Sequence, residues 1–479
     1  MTSAAAISTY TAAAAAILHL HFLLYQDPPP PPSNLQASCC RRCRHRHRHL
    51  QAAAAASTSL RPGNSSYRYV GIMYNLPVMT VIWVANRENP LNDSSGIMEI
   101  SGDGNLVIFN GQNNVVWSSN ISSSPNSSAQ ILDTGNLVLY NSDGRIIWES
   151  FLRASDSFVE KMKMKMITDS ITKERNIFTS WRSSNDPGPG RFTSGIVPSQ
   201  IPQSYIWKDG YPYWRSGPWN GQVFNGIPKM KLLYKRGLHL VSDHPGSGNL
   251  TFTLLNSVLM YSQLNASGIL LEKMWSDKIQ DWEVTWASQE SECDLYGKCG
   301  NFGVCYAADR PMCSCIPGFD PRSDHEWDEG NWTRGCTRRR SLQCKRNTTG
   351  GVKDGFLKIS RVKLPDNAQW FPMFESECRS ECLNNCSCIA YTYYDGVGCM
   401  MWDEGLIDVQ KFSSDGADLY IRLADSELGK EIFSSIHVAL FQVGSMEPHM
   451  PSLGITIKLL RYPFNIENII AVGVLYVSG

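Results

Sequence analysis

Cysteine is the residue type whose number and spacing could do the most chemistry in this chain. Twelve of the fifteen cysteines lie between Cys293 and Cys399, and none lies between Cys43 and Cys293. An even number of closely spaced cysteines is typical of a disulfide scaffold in a secreted or lumenal protein. A cytosolic zinc protein is the alternative, but zinc sites use paired Cys and His ligands, and His325 is the only histidine among these cysteines. We therefore expect disulfides, with no metal and no cofactor.

Glycosylation sequons point to the same compartment. Because N-glycosylation takes place in the secretory pathway, nine Asn-x-Ser/Thr sequons favour an extracellular protein. The chain carries 44 basic and 44 acidic side chains, so no net charge directs it to nucleic acid or to an anionic membrane. The sequons begin at Asn64, Asn92, Asn120, Asn126, Asn249, Asn265, Asn331, Asn347 and Asn385.

The two ends of the chain differ in composition from the rest. Residues 12–25 are apolar like the core of a signal peptide, but no Lys or Arg precedes them, and the Arg- and His-rich run that follows fits an organelle transit peptide equally well. We predict that residues 1–60 are a low-complexity or targeting segment without stable structure. Residues 429–479 are an atypical tail, and its apolar stretch at 466–477 is shorter than the roughly 20 residues that a membrane helix needs.

Between residues 67 and 151 a pattern recurs at intervals of 34 and 31 residues. A Trp follows two β-branched residues in Val81-Ile82-Trp83, Val115-Val116-Trp117 and Ile146-Ile147-Trp148. The segment Gly104-Asn105-Leu106-Val107 also returns as Gly135-Asn136-Leu137-Val138. Short alternating strands at a fixed period predict three similar sheets around one core. The three tryptophans are expected to form that core rather than to stack on a ligand.

The segments Tyr69-Val70-Gly71-Ile72, Trp83-Val84-Ala85-Asn86-Arg87-Glu88-Asn89-Pro90-Leu91 and Gly104-Asn105-Leu106-Val107 carry a resemblance. They resemble the bulb-type, or monocot mannose-binding, lectin domain of plant S-domain receptor kinases and S-locus glycoproteins. The resemblance implies a β-prism over residues 66–151 with mannose sites of the form Gln-x-Asp-x-Asn-x-Val-x-Tyr. In such a site the polar side chains bind sugar hydroxyls and the Val packs against the ring. The family's portion before Tyr67 is missing here, so a truncated lectin domain is expected.

Two stretches align with the sugar-binding motif, and both are degenerate. The first reads Ser101-x-Asp103-x-Asn105-x-Val107-x-Phe109, and the second reads Leu132-x-Thr134-x-Asn136-x-Val138-x-Tyr140. Each lost partner would leave a sugar hydroxyl unsatisfied, so the affinity for mannose is expected to be weak or absent. The retained Asn and Val residues have an alternative role as turn and core positions. By resemblance, the candidate carbohydrate-binding residues are Asp103, Asn105, Val107, Asn136, Val138 and Tyr140.

A second β region without cysteine covers residues 181–288. Its segments Asp186-Pro187-Gly188-Pro189-Gly190 and Tyr213-Trp214-Arg215-Ser216-Gly217-Pro218-Trp219-Asn220-Gly221 resemble the S-locus glycoprotein domain of the same family. Between the two β regions, Lys and Met alternate at residues 161–166. A period of two predicts an edge strand with a solvated lysine face.

The first part of the cysteine-rich region, residues 289–336, resembles an EGF-like domain. The resemblance lies in the spacing of Cys293, Cys299, Cys305, Cys313 and Cys315, together with nearby glycines. Spacing alone leaves the pairing of six cysteines open. The resemblance implies the pairs Cys293–Cys305, Cys299–Cys313 and Cys315–Cys336.

The second part, residues 344–424, resembles a PAN/apple domain. The segments Glu381-Cys382-Leu383-Asn384-Asn385-Cys386-Ser387-Cys388 and Asp418-Leu419-Tyr420-Ile421-Arg422 carry this resemblance. Four positions separate Cys378 from Cys382, which places both on one face of a predicted short helix. From there they can reach Cys399 and Cys388 on adjacent strands. Cys344 and Cys386 remain as the third pair, and all six bridges are expected to be structural.

The predicted fold class is mainly β, with a bulb-lectin β-prism, an S-locus glycoprotein β domain, an EGF-like module and a PAN/apple domain in tandem. The family's full-length members are serine/threonine kinases, but this sequence has no Gly-rich loop and no His-Arg-Asp or Asp-Phe-Gly motif, so we expect no enzyme activity. The resemblance implies a secreted or cell-surface protein that recognises a ligand, as pollen-recognition and defence receptors do. The expected ligand is a carbohydrate or a small cysteine-rich peptide, with pairing to related receptors and no nucleic acid. The alternatives are a secreted mannose-binding defence lectin and a non-functional fragment.

Overall fold

The computed structural model of the protein is mainly β, as the sequence predicts. The described residues up to Leu428 form one compact unit. Most of the segment 1–60 and all of the tail 429–479 lie outside the described residues, so what the sequence predicts for them stays a prediction. The structure describes residues 21–22, 67–74, 76–92, 94–132, 134–166, 177–197, 201–227, 238–244, 247–252, 259–345 and 354–428.

The lectin region contains three antiparallel sheets, one for each sequence repeat. Its strands are β1 (His21–Phe22), β2 (Gly71–Tyr74), β3 (Thr80–Val84), β4 (Ile97–Ile100), β5 (Leu106–Phe109), β6 (Val115–Ser118), β7 (Ser128–Ile131), β8 (Leu137–Tyr140) and β9 (Ile146–Glu149). They pair in the orders β1-β2-β3, β4-β5-β6 and β7-β8-β9. The period of the sequence is therefore the period of the sheets.

The tryptophans of the three repeats meet at the centre of the lectin domain. The ring centroids of Trp83, Trp117 and Trp148 lie 5.9, 6.0 and 5.8 Å apart, and each pair packs edge to face. Aromatic rings prefer this arrangement because the positive edge of one ring lies against the negative face of the next. The predicted shared tryptophan core is confirmed.

The first sheet takes its outer strand from the N-terminal segment. His21 pairs with Met73, and Phe22 pairs with Ile72, in antiparallel register. The sequence predicts no stable structure in residues 1–60, whereas the structure has a short paired strand at these two residues. The physical reason is that the free edge of β2 presents unpaired N–H and C=O groups, which an extended segment can satisfy whatever its side chains are.

The second domain is built from three further antiparallel sheets. Its strands are β10 (Ser157–Val159), β11 (Met164–Met166), β12 (Phe178–Ser183), β13 (Asp186–Val197), β14 (Gln203–Lys208), β15 (Tyr211–Arg215), β16 (Leu238–His244), β17 (Ser247–Phe252), β18 (Met260–Leu264), β19 (Leu270–Ser276) and β20 (Asp281–Ala287). The sheets have the orders β12-β13-β14-β15, β10-β18-β19-β20 and β11-β17-β16.

The Lys/Met segment forms an edge strand, as predicted, although the strand is shorter than the pattern. β11 lies at the edge of its sheet and begins at Met164. Met162 and Met164 are buried, whereas Lys161 and Lys163 are exposed. Lys161 has a positive φ of 63°, which ends the extended conformation before the strand starts.

The cysteine-rich part adds two modules with three short helices. The elements are β21 (Gly303–Cys305), β22 (Cys313–Cys315), β23 (Phe319–Pro321), α1 (Asp324–Asp328), β24 (Cys336–Arg338), β25 (Gly355–Lys363), β26 (Gln369–Phe371), α2 (Glu375–Asn384), β27 (Ala390–Tyr394), β28 (Gly398–Trp402), β29 (Val409–Lys411), β30 (Ala417–Leu423) and α3 (Asp425–Leu428). One sheet runs β22-β21-β29-β25-β30-β27-β28-β26. Val304 of β21 pairs with Val409 of β29, so the two modules share this sheet.

The twelve cysteines that the structure describes form six disulfide bonds, and these are the six pairs expected from the sequence. Cys378 and Cys382 are buried side by side on α2, which they tie to β28 and to the turn before β27. Each bridge of this kind contributes about 2–4 kcal/mol by restricting the unfolded chain. The pairs are Cys293–Cys305, Cys299–Cys313, Cys315–Cys336, Cys344–Cys386, Cys378–Cys399 and Cys382–Cys388.

Candidate functional site

The three lectin sheets carry the same rows of residues because they are repeats of one unit. One cross-strand row in each sheet contains the position that the sugar motif assigns to Tyr. That position is Phe109 in the second sheet and Tyr140 in the third. Row one is His21–Met73–Val81, row two is Ile97–Phe109–Val115 and row three is Ser128–Tyr140–Ile146.

The face of the first sheet is covered by the second domain. Met73 and Val81 of row one are each only 6% exposed and pack with Tyr69 against Trp181. The Tyr69 hydroxyl donates to Asp186 Oδ1 at 3.2 Å. Burial and the neighbouring carboxylate raise the pKa of Tyr69 to about 12. The first lectin face therefore serves as a joint between domains.

Arg87 holds this joint through backbone carbonyls. Its Nε donates to Pro187 O at 2.7 Å. Its Nη2 donates to Thr179 O at 3.0 Å and to Ser180 O at 2.7 Å. A guanidinium has five donors in a fixed plane, so one buried Arg satisfies several carbonyls of the β12–β13 hairpin at once.

In the second sheet, the motif residues Asp103 and Asn105 satisfy each other and the chain around them. Asn105 Oδ1 accepts from the Ser119 hydroxyl at 2.9 Å and from Ile121 N–H at 2.7 Å. Asn105 Nδ2 donates to Asp103 Oδ2 at 2.9 Å and to Ile121 O at 3.3 Å. Hydrogen bonds from Ser101 and Asn105 lower the pKa of Asp103. All four positions of the Asn105 amide are thus used within the protein.

In the third sheet, the corresponding Asn136 has a different carboxylate partner. Asn136 Oδ1 accepts from the Ser150 hydroxyl and from Phe151 N–H, each at 3.1 Å. Its Nδ2 donates to Glu149 Oε2 at 2.7 Å. Glu149 on β9 therefore takes the role that Asp103 has in the second sheet. In the third sheet, Thr134 occupies the motif position of that Asp.

Two polar residues of the third face were missed by the sequence reasoning. Gln130 and Glu149 flank Val138 in cross-strand register, on either side of the central strand. Together with Asn136 and Tyr140 they bring an amide pair, a carboxylate and a phenol to one face. The motif is read along one strand, whereas these groups come from three strands. Only the register of the sheet could have revealed them.

The motif valines are covered in the structure. Val107 is 4% exposed and Val138 is 0% exposed. Packing on a sugar ring would require one face of each side chain to be open. The observed burial fits the alternative role of these valines as core positions, and sugar binding by the six motif residues stays a prediction.

The sequon asparagines that the structure describes lie mostly at the surface. Asn265 is partly exposed and closes a turn, because its Oδ1 accepts from Ser267 N–H and Ile269 N–H at 2.9 Å each. Asn249 lies within β17. Asn64 and Asn347 lie outside the described residues. The exposed ones are Asn92, Asn120, Asn126, Asn331 and Asn385.

The second domain and the two cysteine-rich modules meet at a buried ion cluster, formed by Arg215, Lys363, Asp366 and Asp408. Arg215 Nε donates to Asp408 Oδ2 at 2.9 Å, and Lys363 Nζ lies 2.8 Å from the same oxygen. Burial alone would lower the pKa of Arg215, but Asp408 and Asp366 outweigh it and raise that pKa. A buried ion pair is tolerated only when its geometry and its further hydrogen bonds are good, as they are here.

Two tyrosines complete this cluster from neighbouring domains. The hydroxyls of Tyr205 and Tyr296 donate to the two oxygens of Asp366, at 2.6 and 2.8 Å. Burial would raise the pKa of Asp366, but Arg215 and the two hydroxyls outweigh it and lower that pKa. The Tyr213–Gly221 motif, singled out from the sequence without a role, therefore supplies an interdomain anchor through Arg215.

Comparison with known proteins follows the same domain order. A D-mannose binding lectin model matches residues 80–182, an S-locus glycoprotein domain model matches residues 214–323 and a PAN-like domain model matches residues 344–409. Two G-type lectin S-receptor-like serine/threonine-protein kinases of Arabidopsis thaliana are 43% and 44% identical to the chain over 401 and 380 residues, which are 80% and 77% of it. The chain belongs to the G-type lectin S-receptor-like family.

The chain spans about half the length of these curated relatives, namely 47% of the first and 46% of the second. Among solved structures, the chain matches a fetuin-binding two-domain lectin of Scilla campanulata at 13% identity, over 42% of this chain and 79% of the lectin. The TM-score of 0.13 is too low to infer a shared fold. The lectin match runs past residue 151 and the S-locus match runs into the cysteine-rich part. The predicted boundaries 66–151, 181–288, 289–336 and 344–424 stay predictions.

Three buried cysteines lie close enough together to suggest a metal site. The sulfur atoms of Cys299, Cys305 and Cys313 lie within 4.8 Å of one another. Each is part of a disulfide, and a metal ligand must be a thiolate, so this cluster is structural. No helix among the described residues is long and apolar enough to cross a membrane.

Proposed function

We propose that this chain acts as the ligand-recognition ectodomain of an S-domain receptor system, in pollen recognition or defence, without kinase activity of its own. One observation carries the proposal. Of the three repeated lectin faces, the first is used to bind the second domain through Trp181 and Arg87, while the second and third are not closed by that joint. The second and third faces, where Ile97, Val115 and Ile146 are exposed, are therefore available to a partner.

The interior of the protein supports a rigid recognition surface. The buried ion cluster links the second domain to the PAN module, and the sheet shared by β21 and β29 links the EGF-like module to it. Rigid scaffolds reduce the entropy that binding must overcome. The proposed ligand is a carbohydrate or a small cysteine-rich peptide outside the cell, and the disulfide modules are proposed to pair with related receptors.

The test is capture of extracellular material by the oxidised, glycosylated full chain. The chain is expressed in plant cells, recovered from the apoplast and immobilised, and apoplastic fluid is passed over it. We expect a peptide or glycan to be retained by the native chain and released when its disulfides are reduced. The proposal would be contradicted if the expressed chain stayed in the cytosol. It would also be contradicted if the native and the reduced chain retained the same amount of ligand.

The second candidate function is that of a secreted mannose-binding defence lectin. The observation that favours it is the third face, where Gln130 and Glu149 restore an amide and a carboxylate beside Asn136 and Tyr140. Chromatography on immobilised mannose tests it. Retention that is lost in Gln130→Ala and Tyr140→Phe, but not in the matched Glu99→Ala on the second face, would support this function. Free passage of the wild-type chain rules it out.

A further inference from the structure

Row two exposes apolar side chains at the positions that row one buries. Ile97 and Val115 are 51% and 56% exposed, with Phe109 between them in cross-strand register. The equivalent Met73 and Val81 of row one are covered because the second domain packs on them. The same position of a repeated sheet is thus occupied by protein in one copy and open in another.

The sheet that contains row two carries acidic side chains and no basic ones. Glu99 follows Ile97 by two positions on β4, so it is exposed on the same face, about 7 Å along the strand. Residues 94–127, which contain the whole second sheet, include the acidic residues Glu99 and Asp103 and no Lys, Arg or His. In a chain whose total charges balance, this region carries a local excess of negative charge that attracts cations.

We propose that row two docks an extended cationic segment of a separate protein. In this complex an aromatic side chain of the partner packs on row two, as Trp181 packs on row one, and a Lys or Arg of the partner pairs with Glu99. An aromatic anchor inside a polar rim is the usual organisation of a protein contact.

A sugar is the less suitable occupant of this face. The motif tyrosine is replaced by Phe109, which has no hydroxyl to bind a sugar. The amide of Asn105 already makes four hydrogen bonds within the protein. The second face has lost polar groups that a sugar requires and has kept the apolar groups that a side chain requires.

Row three provides an internal comparison. Its Ile146 is 50% exposed at the position of Val115, but its neighbours in the row are Ser128 and Tyr140. Arg145 precedes Ile146 in the hairpin, and its positive charge would repel a cationic partner. Substitution at Ile146 therefore changes the same structural position on a face where the proposed partner is not expected.

The test uses the full, oxidised chain and two fluorescent peptides, one alternating Lys with Trp and one alternating Glu with Trp. Fluorescence anisotropy measures Kd at low and at physiological salt. We expect only the Lys–Trp peptide to bind. The double variant Ile97→Ser/Val115→Ser should weaken its binding at least about tenfold, because the aromatic anchor loses its apolar contact. Glu99→Gln should weaken binding and reduce its salt dependence.

The matched controls are Ile146→Ser on row three and Glu381→Gln, which alters an exposed acidic residue on α2 of the PAN module. Both should bind the Lys–Trp peptide like the wild type, and thermal unfolding should show all variants folded. Equal binding by all variants would mean unspecific charge attraction and overturn the proposal, as would no binding of the peptide. Competition by methyl mannoside would assign the face to sugar. A wild-type dimer that the double variant dissolves would assign it to a second copy.

Discussion

Arg215 Nε lies 2.9 Å from Asp408 Oδ2, although 193 residues separate the two side chains in the sequence. Arg215 ends β15 in the second domain, and Asp408 immediately precedes β29 in the PAN module. Both side chains are buried, and Lys363 binds the same carboxylate oxygen. Two buried cations therefore depend on Asp408, which joins the second domain to the PAN module.

Asp408→Asn should strongly destabilise the protein. The Asn amide keeps the shape of the Asp side chain but removes its negative charge. The buried positive charges of Arg215 and Lys363 are then no longer neutralised by Asp408. Breaking a buried pair by removing one partner costs about 3–5 kcal/mol. The shift of the urea unfolding midpoint of the oxidised chain measures the loss. Asp209→Asn is the control, because it breaks the exposed pair with Arg191, and it should leave the urea midpoint nearly unchanged.

The ion cluster should also make stability depend on acid pH through Asp366. Its pKa is lowered in the folded protein, so its contribution is fully present above the ordinary aspartate pKa, roughly 4, and is lost as the pH falls through the lower folded value. Asp366→Asn should be less stable than the wild type at pH 7, and the gap should narrow below about pH 4. Urea midpoints from pH 7 to pH 2 test this. A gap that stays constant with pH would contradict the assignment.

Trp148→Ala should destabilise the lectin domain, so that it unfolds at a lower temperature than the other domains. The side chain is buried and packs edge to face with Trp83 and Trp117. Removing a large buried aromatic side chain costs about 3–5 kcal/mol. Thermal unfolding followed by tryptophan fluorescence measures the loss. The exposed neighbour Ile146→Ala should change the free energy of unfolding by about 0.5 kcal/mol or less.

Arg87→Ala should loosen the joint between the lectin and second domains without unfolding either of them. It removes three hydrogen bonds to the carbonyls of Pro187, Thr179 and Ser180. We expect faster amide hydrogen exchange in residues 178–188, and exchange in the PAN module should stay unchanged. Arg182→Ala, at a more exposed arginine of the same hairpin, is the matched control. Unchanged exchange in Arg87→Ala would show that the packing of Trp181 and the Tyr69–Asp186 hydrogen bond hold the joint without Arg87.

The disulfide modules and the tryptophan core were predictable because their signals are local. Cysteine spacing and family motifs indicated six pairs, and the structure contains the same six. The 31- and 34-residue period indicated three sheets around Trp83, Trp117 and Trp148. Both signals are read from residues that repeat or pair within one module. The two-residue strand at His21–Phe22 was not predictable, because pairing with a free edge depends on backbone groups rather than on side-chain pattern.

The sequence by itself determined the mainly β class, the order of the modules and the degenerate state of the sugar motifs. Only the tertiary structure decided which lectin face is covered, that Glu149 partners Asn136 across strands, and that Arg215 meets Asp408. The physical reason is that module identity follows from local spacing and periodicity. Cross-strand register and the burial of charge between domains depend on long-range pairing, and no local pattern specifies that pairing.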